Sequence, residues 1–286
     1  MHVSKTAVIT GSTGGIGGAI ADQLAEDGWS LVLVNRNAEK AELQKKELVA
    51  AHPNTDIDLV QADLMDVSQI KRAAEEILAR HPKIDALYNN SGVLTSKRVM
   101  SAQGHESNYA VNVLAPYVMI DGLRSALKRG DGEQKTMIIN TTSSAQNAAK
   151  SLDVSSLSEP ESVGGLSGAY ATTKLALTTM GTAMADELKK DGIMLRSVCP
   201  GPVITPMTKT SDAMPGVLKL LVPLLFNKPE KQASKMINAA NPETYGARTG
   251  NYLTNGKAKP LPSLATDPTI QASLIEKLQK DAMVGA

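Results

Sequence analysis

Tyr170 and Lys174 lie four residues apart in a segment, Ala169 to Lys190, whose pattern predicts a helix, so both side chains fall on one face, one turn from each other. A free phenol titrates near about 10 and is a poor base at neutral pH; an ammonium beside it stabilises phenolate and lowers that value. The pair can therefore move a proton to or from an oxygen. Taken alone, it is equally an ordinary amphipathic pair. Near the start of the chain, Thr10 to Gly17 reads Thr-Gly-Ser-Thr-Gly-Gly-Ile-Gly, between an apolar run from Thr6 and a stretch of helical spacing from Ala19 to Leu24. Glycines there let backbone approach a ligand closely, and the N–H groups and dipole of the following helix favour an anionic pyrophosphate. The strict G-x-G-x-x-G pattern is not met, because Ile20 takes the last place after Gly15 and Gly17; no G-K-[ST] follows, which argues against a phosphate loop of the ATPase type.

The elements that position these residues alternate. Strands are predicted at Thr6–Thr10, Ser30–Asn35, Asp56–Gln61, Ile84–Tyr88, Lys135–Thr142, Met194–Cys199 and Asn251–Thr254. Between them come helices at Ala38–Ala51, from a cap at Asp66 to Arg80, at His105–Leu127 with a bend at Pro116, at Ala169–Lys190 and from Pro229 to about Ala240. This order implies a Rossmann-type, doubly wound α/β fold, a seven-stranded, mostly parallel sheet with helices on both faces. Ala145–Gly168 has no period and reads as an irregular insertion. The 286 residues suit one domain, 1–286, serving both dinucleotide binding and catalysis.

Composition removes several classes of partner. With 30 basic and 29 acidic residues, net charge +1, nothing favours nucleic acid or an anionic membrane. The single cysteine, Cys199, rules out an internal disulfide framework and a cysteine-only metal site, and no other metal site is expected. A cytosolic location is expected, since the first strand begins too early for a signal segment and Val217–Phe226, broken by Lys219 and Pro223, is too short to span a bilayer. The tip of the second strand, Asn35-Arg36-Asn37, carries a guanidinium and no carboxylate, which favours a 2′-phosphate and hence NADP(H), with NAD(H) possible. The other reading of Arg36 is a solvated loop charge.

In that order along the chain, Gly11, Gly15 and Gly17, Asp63, Asn89 to Gly92, Asn112, Ser143, Tyr170 with Lys174, and Pro200, Gly201 and Thr205 resemble the short-chain dehydrogenase/reductase family over nearly the whole length. The Ser143–Tyr170 gap and the segment Asn227–Leu253 are most similar to its retinol-dehydrogenase-like branch. Ser91 departs from the family's usual alanine. The resemblance implies NAD(P)-dependent interconversion of a carbonyl and an alcohol. Ser143 would hold the substrate oxygen, Tyr170 exchange its proton, Lys174 lower the phenol's pKa and bond the cofactor ribose, and Asn112 anchor a water linking Lys174 to solvent. Gly11, Ser12, Gly15, Ile16, Gly17, Arg36, Asn90, Gly92, Pro200, Gly201 and Thr205 would contact the cofactor with Tyr170 and Lys174, and Asp63 with the Leu64 backbone would contact its adenine. Ser143, Tyr170 and Met207 would contact substrate, and the helices around Asn112 and Tyr170 would form the face of a homodimer or homotetramer.

Residues 206–226, which include Met207, Met214, Val217, Leu218, Leu220, Leu221, Val222, Leu224, Leu225 and Phe226, read either as an apolar substrate lid or as a buried helix or subunit contact. A lid of this kind suits a small, apolar carbonyl or alcohol. Two other functions remain open. One is a nucleotide-binding regulator without turnover. The other is an NAD-retaining sugar-nucleotide epimerase, whose Thr-Gly-x-x-Gly-x-x-Gly pattern Gly11, Gly14 and Gly17 also fit, though the chain is short for the substrate domain of such enzymes.

Overall fold

Alternation of side chains along the strands decides the layering. In β1 (Thr6–Thr10), Ala7 and Ile9 point into one core while Val8 points into the other; in β2 (Ser30–Asn35), Leu31 and Leu33 oppose Val32 and Val34 in the same way. Strands apolar on both faces require a helical layer on each side. The computed structural model describes residues 4–130, 135–212, 226–246 and 248–284, and it shows those two layers. Helices α1 (Gly15–Glu26) and α2 (Ala38–Ala51) cover one face. The other lies under α3 (Val67–Arg80) and the helical run α4 (Ser107–Tyr109), a π-helical turn at Ala110–Leu114, α5 (Ala115–Gly122) and α6 (Arg124–Leu127), followed by α7 (Ala169–Lys190).

The sheet continues with β3 (Ile57–Gln61), β4 (Ala86–Asn89), β5 (Thr136–Thr141), β6 (Ile193–Cys199), β7 (Asn251–Thr254) and β8 (Lys257–Lys259), in the order β3-β2-β1-β4-β5-β6-β7-β8. Every pairing is parallel except β7 with β8. Eight strands stand where seven were expected. The extra one, Lys-Ala-Lys, is exposed throughout and carries no hydrophobic pattern; a short, charged strand suits a sheet edge, where it discourages pairing with another chain. The order reverses between β1 and β4, and ligands of open α/β sheets bind outside the strand ends at such a point.

The segment His105–Leu127 is not one bent helix. Ala115 N–H bonds Ala110 O, five residues back, so the chain widens into a π turn around Asn112, and Pro116 has no N–H to give the carbonyl four residues before it, that of Asn112. After β6 come α8 (Pro206–Thr210), α9 (Pro229–Ala239) and α10 (Pro242–Tyr245), and the last element is α11 (Pro268–Met283), capped by Asp267 with proline in its first turn. α11 packs on α7, and its Leu274 and Leu278 are buried in one core with Val113, Leu175 and the Leu152, Val154 and Leu157 side chains of the insertion. The insertion is thus part of the core behind α7, in addition to lying near the strand ends.

Arg196 of β6 is fully buried, with no carboxylate paired to it among the described residues. Its guanidinium donates to the carbonyls of Ala239, Asn241 (3.1 Å) and Gly246 (2.6 Å) and lies over the Tyr245 ring, drawing the end of α9 and the turn after α10 onto the sheet.

Candidate active site

A cavity of about 530 Å³ runs along the carboxyl ends of β1 to β6. One end is the glycine turn. There Gly11, Gly15 and Ile16 form the wall, joined by Thr13, which the sequence pattern did not single out. Gly17 sits behind them: a Cβ on it would lie 2.3 Å from Gly11 O and 2.4 Å from Asn90 Nδ2, so only glycine lets α1 start this close to β1. Asn90 ties the turn to β4, donating from Nδ2 to Thr10 O (3.2 Å) and Gly11 O (3.1 Å). A Cβ on Gly11 would meet Ser91 Oγ at 2.5 Å, so this position too is open to glycine alone. Ser12, expected in the wall, is completely buried behind it, its hydroxyl engaged by Asn35 and Gln44. A small polar residue beside a glycine turn looks the same in sequence whether it faces ligand or protein.

Along the cavity, Arg36, Lys40, Asp63 and Leu64 line the wall. Lys40, in the first turn of α2, was not singled out; a lysine at the start of the predicted helix, close in sequence to Arg36, was the available signal. Arg36 is 73% exposed and 3.8 Å from Asp63 Oδ2, a contact worth less than about 1 kcal/mol and readily exchanged for a stronger anion.

At the inner end, Ser143, Tyr170 and Lys174 share the wall with Gly92, Cys199, Pro200, Gly201, Thr205 and Met207. Ser143, two residues past β5, caps the following 3₁₀ turn (Ser144–Ala148), its Oγ accepting from Ala145 N–H, while Ser144 N–H bonds Cys199 Sγ at 3.1 Å. Lys174 Nζ donates to Thr141 O at 2.8 Å, which leaves two ammonium donors for a ligand in the cavity. Asn112 is buried outside the wall, bonded to Val93 N–H (2.9 Å), Val93 O (3.0 Å) and Thr173 Oγ1 (3.2 Å); it reaches the site through the backbone after Gly92 and through Thr173 of α7. Tyr170 packs among Leu94, Ala145, Leu166 and Met207. Of residues 206–226, those at 213–225, including Met214 and Val217 to Leu225, lie outside the described residues; Met207 of α8 lines the cavity.

Burial works against the effect expected of the ammonium. Lys174 Nζ lies 5.8 Å from the Tyr170 ring centre, yet burial pushes the phenol up to about 12, against the lowering effect of the Ser143 hydrogen bond. Burial also pushes Lys174 down to about 8. Both groups leave water, and desolvation drives each toward its neutral form.

The cavity is bounded by a glycine turn at a helix start, the Arg36 and Lys40 side chains and a Tyr–Lys–Ser wall; the chain as a whole is similar to known proteins. The family model described as short chain dehydrogenase matches residues 5–216, and the chain belongs to that family. It is 26% identical over 276 residues to the chloroplastic short-chain dehydrogenase TIC 32 B of Brassica napus, covering 94% of this chain and 86% of the relative. It is 28% identical over 270 residues to human retinol dehydrogenase 11, covering 94% and 83%. Among solved structures, a blue fluorescent protein from a metagenomic library in complex with NADPH superposes with a TM-score of 0.67 at 27% identity, over 87% of this chain and 95% of that one. The 3-ketoacyl-(acyl-carrier-protein) reductase of Brucella melitensis, complexed with NADH, superposes with a TM-score of 0.67 at 26% identity, over 88% and 98%. This protein is accordingly an NAD(P)-dependent oxidoreductase of the short-chain type.

Proposed function

We propose that the chain is a single-domain, NADP(H)-dependent reductase of small apolar carbonyl compounds, able to run the reverse oxidation of the alcohol. The observation that carries this reading is the meeting of Ser143, Tyr170 and Lys174 at one end of a cavity whose other end is the glycine turn. A bound nicotinamide dinucleotide supplies the hydride. The glycine turn, Asn90 and Thr205 hold its phosphates and nicotinamide end, Asp63 and Leu64 its adenine, and Lys174 its ribose. Ser143 donates a hydrogen bond to the substrate oxygen and Tyr170 gives it a proton. A phenol held near 12 is protonated at neutral pH, the form that carbonyl reduction requires. Asn112 supports this end by fixing Val93, and Leu94, Leu166 and Met207 around the phenol favour an apolar substrate. An intact Ser143–Tyr170–Lys174 wall speaks against a regulator without turnover. A reducing, cytosolic setting fits the one cysteine. A homodimer or homotetramer is the proposed assembly, and because α11 already covers part of α7, its subunits would meet on surfaces that α11 leaves open.

The test is oxidation of NADPH and NADH with a panel of aldehydes, ketones and quinones, together with binding of each dinucleotide. Arg36→Ala is expected to weaken NADPH by about 10- to 100-fold, the loss of one or two charge-assisted hydrogen bonds, and to leave NADH unchanged. Equal weakening of both would assign Arg36 no part in the 2′-phosphate. A second expectation concerns pH. Lys174 is charged below about 8 and neutral above it. Its donors to the ribose weaken as the proton leaves, so dinucleotide affinity falls as pH rises past about 8, and this fall is absent in Lys174→Met. Binding that stays level to about pH 9 in the wild type would remove the ammonium from the site's recognition.

A further inference from the structure

Ser12 is the apex of the glycine turn, and it is held from behind by a closed hydrogen-bond circuit. Asn35 Oδ1 accepts from Ser12 N–H at 2.9 Å and Thr13 N–H at 3.3 Å, which fixes its amide so that Nδ2 faces and donates to Ser12 Oγ at 2.8 Å. Ser12 Oγ then has one proton left, and gives it to Gln44 Oε1 at 2.8 Å. With Oε1 so used, Gln44 Nε2 faces Ser12 O and donates to it at 2.6 Å, beside the bond that the same oxygen accepts from Gly14 N–H at 2.7 Å. Each donor and acceptor is set by the one before it. The close fit is permitted by Gly18, where a Cβ would stand 3.0 Å from Ser12 O and 3.8 Å from Gln44 Nε2. Gln44 does not line the cavity; it stands half-buried on α2, the helix that also carries Lys40.

We propose that Gln44 is a positioning residue for dinucleotide binding. Acting through Ser12 and Asn35, it holds the glycine turn in the shape that receives pyrophosphate and couples the turn to the strand end from which Arg36 projects. The proposal rests on the dinucleotide reading above. Without the circuit, Ser12 O loses one of two donors and the Ser12 hydroxyl its acceptor, and the turn must be ordered at the expense of binding. Because pyrophosphate is common to both nicotinamide dinucleotides, Gln44 acts on both alike, unlike Arg36.

The experiment measures dissociation constants for NADPH and NADH by calorimetry in wild type, Gln44→Met and Gln44→Glu, with kcat at saturating cofactor and hydrogen exchange of the Ser12–Thr13 amides in the ligand-free protein. Gln44→Met keeps the length of the side chain without its polar atoms. It is expected to weaken both dinucleotides by about tenfold with their ratio preserved, to leave kcat within about twofold, and to speed exchange of the two amides. Gln44→Glu keeps the acceptor for Ser12 Oγ but turns a carboxylate oxygen toward Ser12 O; it is expected to weaken both at least as much. Wild-type constants and wild-type exchange in both variants would overturn the proposal, as would a loss confined to NADPH. If the wild-type protein binds neither dinucleotide, the dinucleotide reading fails first and this inference falls with it.

Discussion

Tyr170→Phe lowers turnover by about 10²- to 10⁴-fold, the range for losing a positioned proton donor, while the folded protein still binds dinucleotide. The substitution removes one oxygen and leaves a ring of the same shape among Leu94, Ala145, Leu166 and Met207. Lys174 keeps its bond to Thr141 O, so its ammonium remains available. The effect therefore falls on kcat and spares the cofactor dissociation constant, a division that misfolding would not produce. Progress curves at saturating NADPH, with binding measured separately, check it. Unchanged turnover in the phenylalanine variant would transfer the proton-donor role away from Tyr170.

Arg196→Met has the largest effect expected on stability, a loss of about 3–5 kcal/mol in denaturant unfolding. Methionine matches much of the volume but leaves the Ala239, Asn241 and Gly246 carbonyls without the donors they have now. Burial holds the guanidinium's pKa below its usual value, yet with three acceptors and the Tyr245 face around it the group is kept in its charged, donating form. Arg196→Lys recovers only part of the loss, because one compact ammonium cannot fork to three separated carbonyls. A wild-type unfolding midpoint in Arg196→Met would show that these carbonyls find other donors.

Much of the fold was legible because its signals are local. β1, β2, α2, α7 and β7 begin and end at the residues that the patterns predict, each marked by an unbroken apolar run, a cap or a long helical period. Asp66 was readable as a cap and serves as one, accepting from Ser68 and Gln69 N–H. What stayed hidden depends on neighbours distant in sequence. β8 exists because β7 offers it an edge. The π turn around Asn112 and the placement of Ser12 depend on partners from other elements, Thr173, Asn35 and Gln44 among them. The phenol's high pKa follows from burial, which the four-residue spacing of Tyr170 and Lys174 does not encode. α11 is a different case: Asp267 and Pro268 at its start and Ile270, Leu274 and Leu278 at four-residue spacing are local signals, legible in the sequence yet not among the predicted helices.

The position of α11 also bears on the order of folding. Strands β1 to β6 and their crossovers can pair as the chain leaves the ribosome, each new strand adding to a sheet already begun. The core behind α7 cannot close in the same progressive way, because Leu274 and Leu278 are made last, more than eighty residues after Tyr170. Until they arrive, α7 presents an apolar flank to the cell on the same helix that bears Tyr170 and Lys174. A nascent chain halted before residue 268 therefore holds the parts of its site while exposing the surface that chaperones bind.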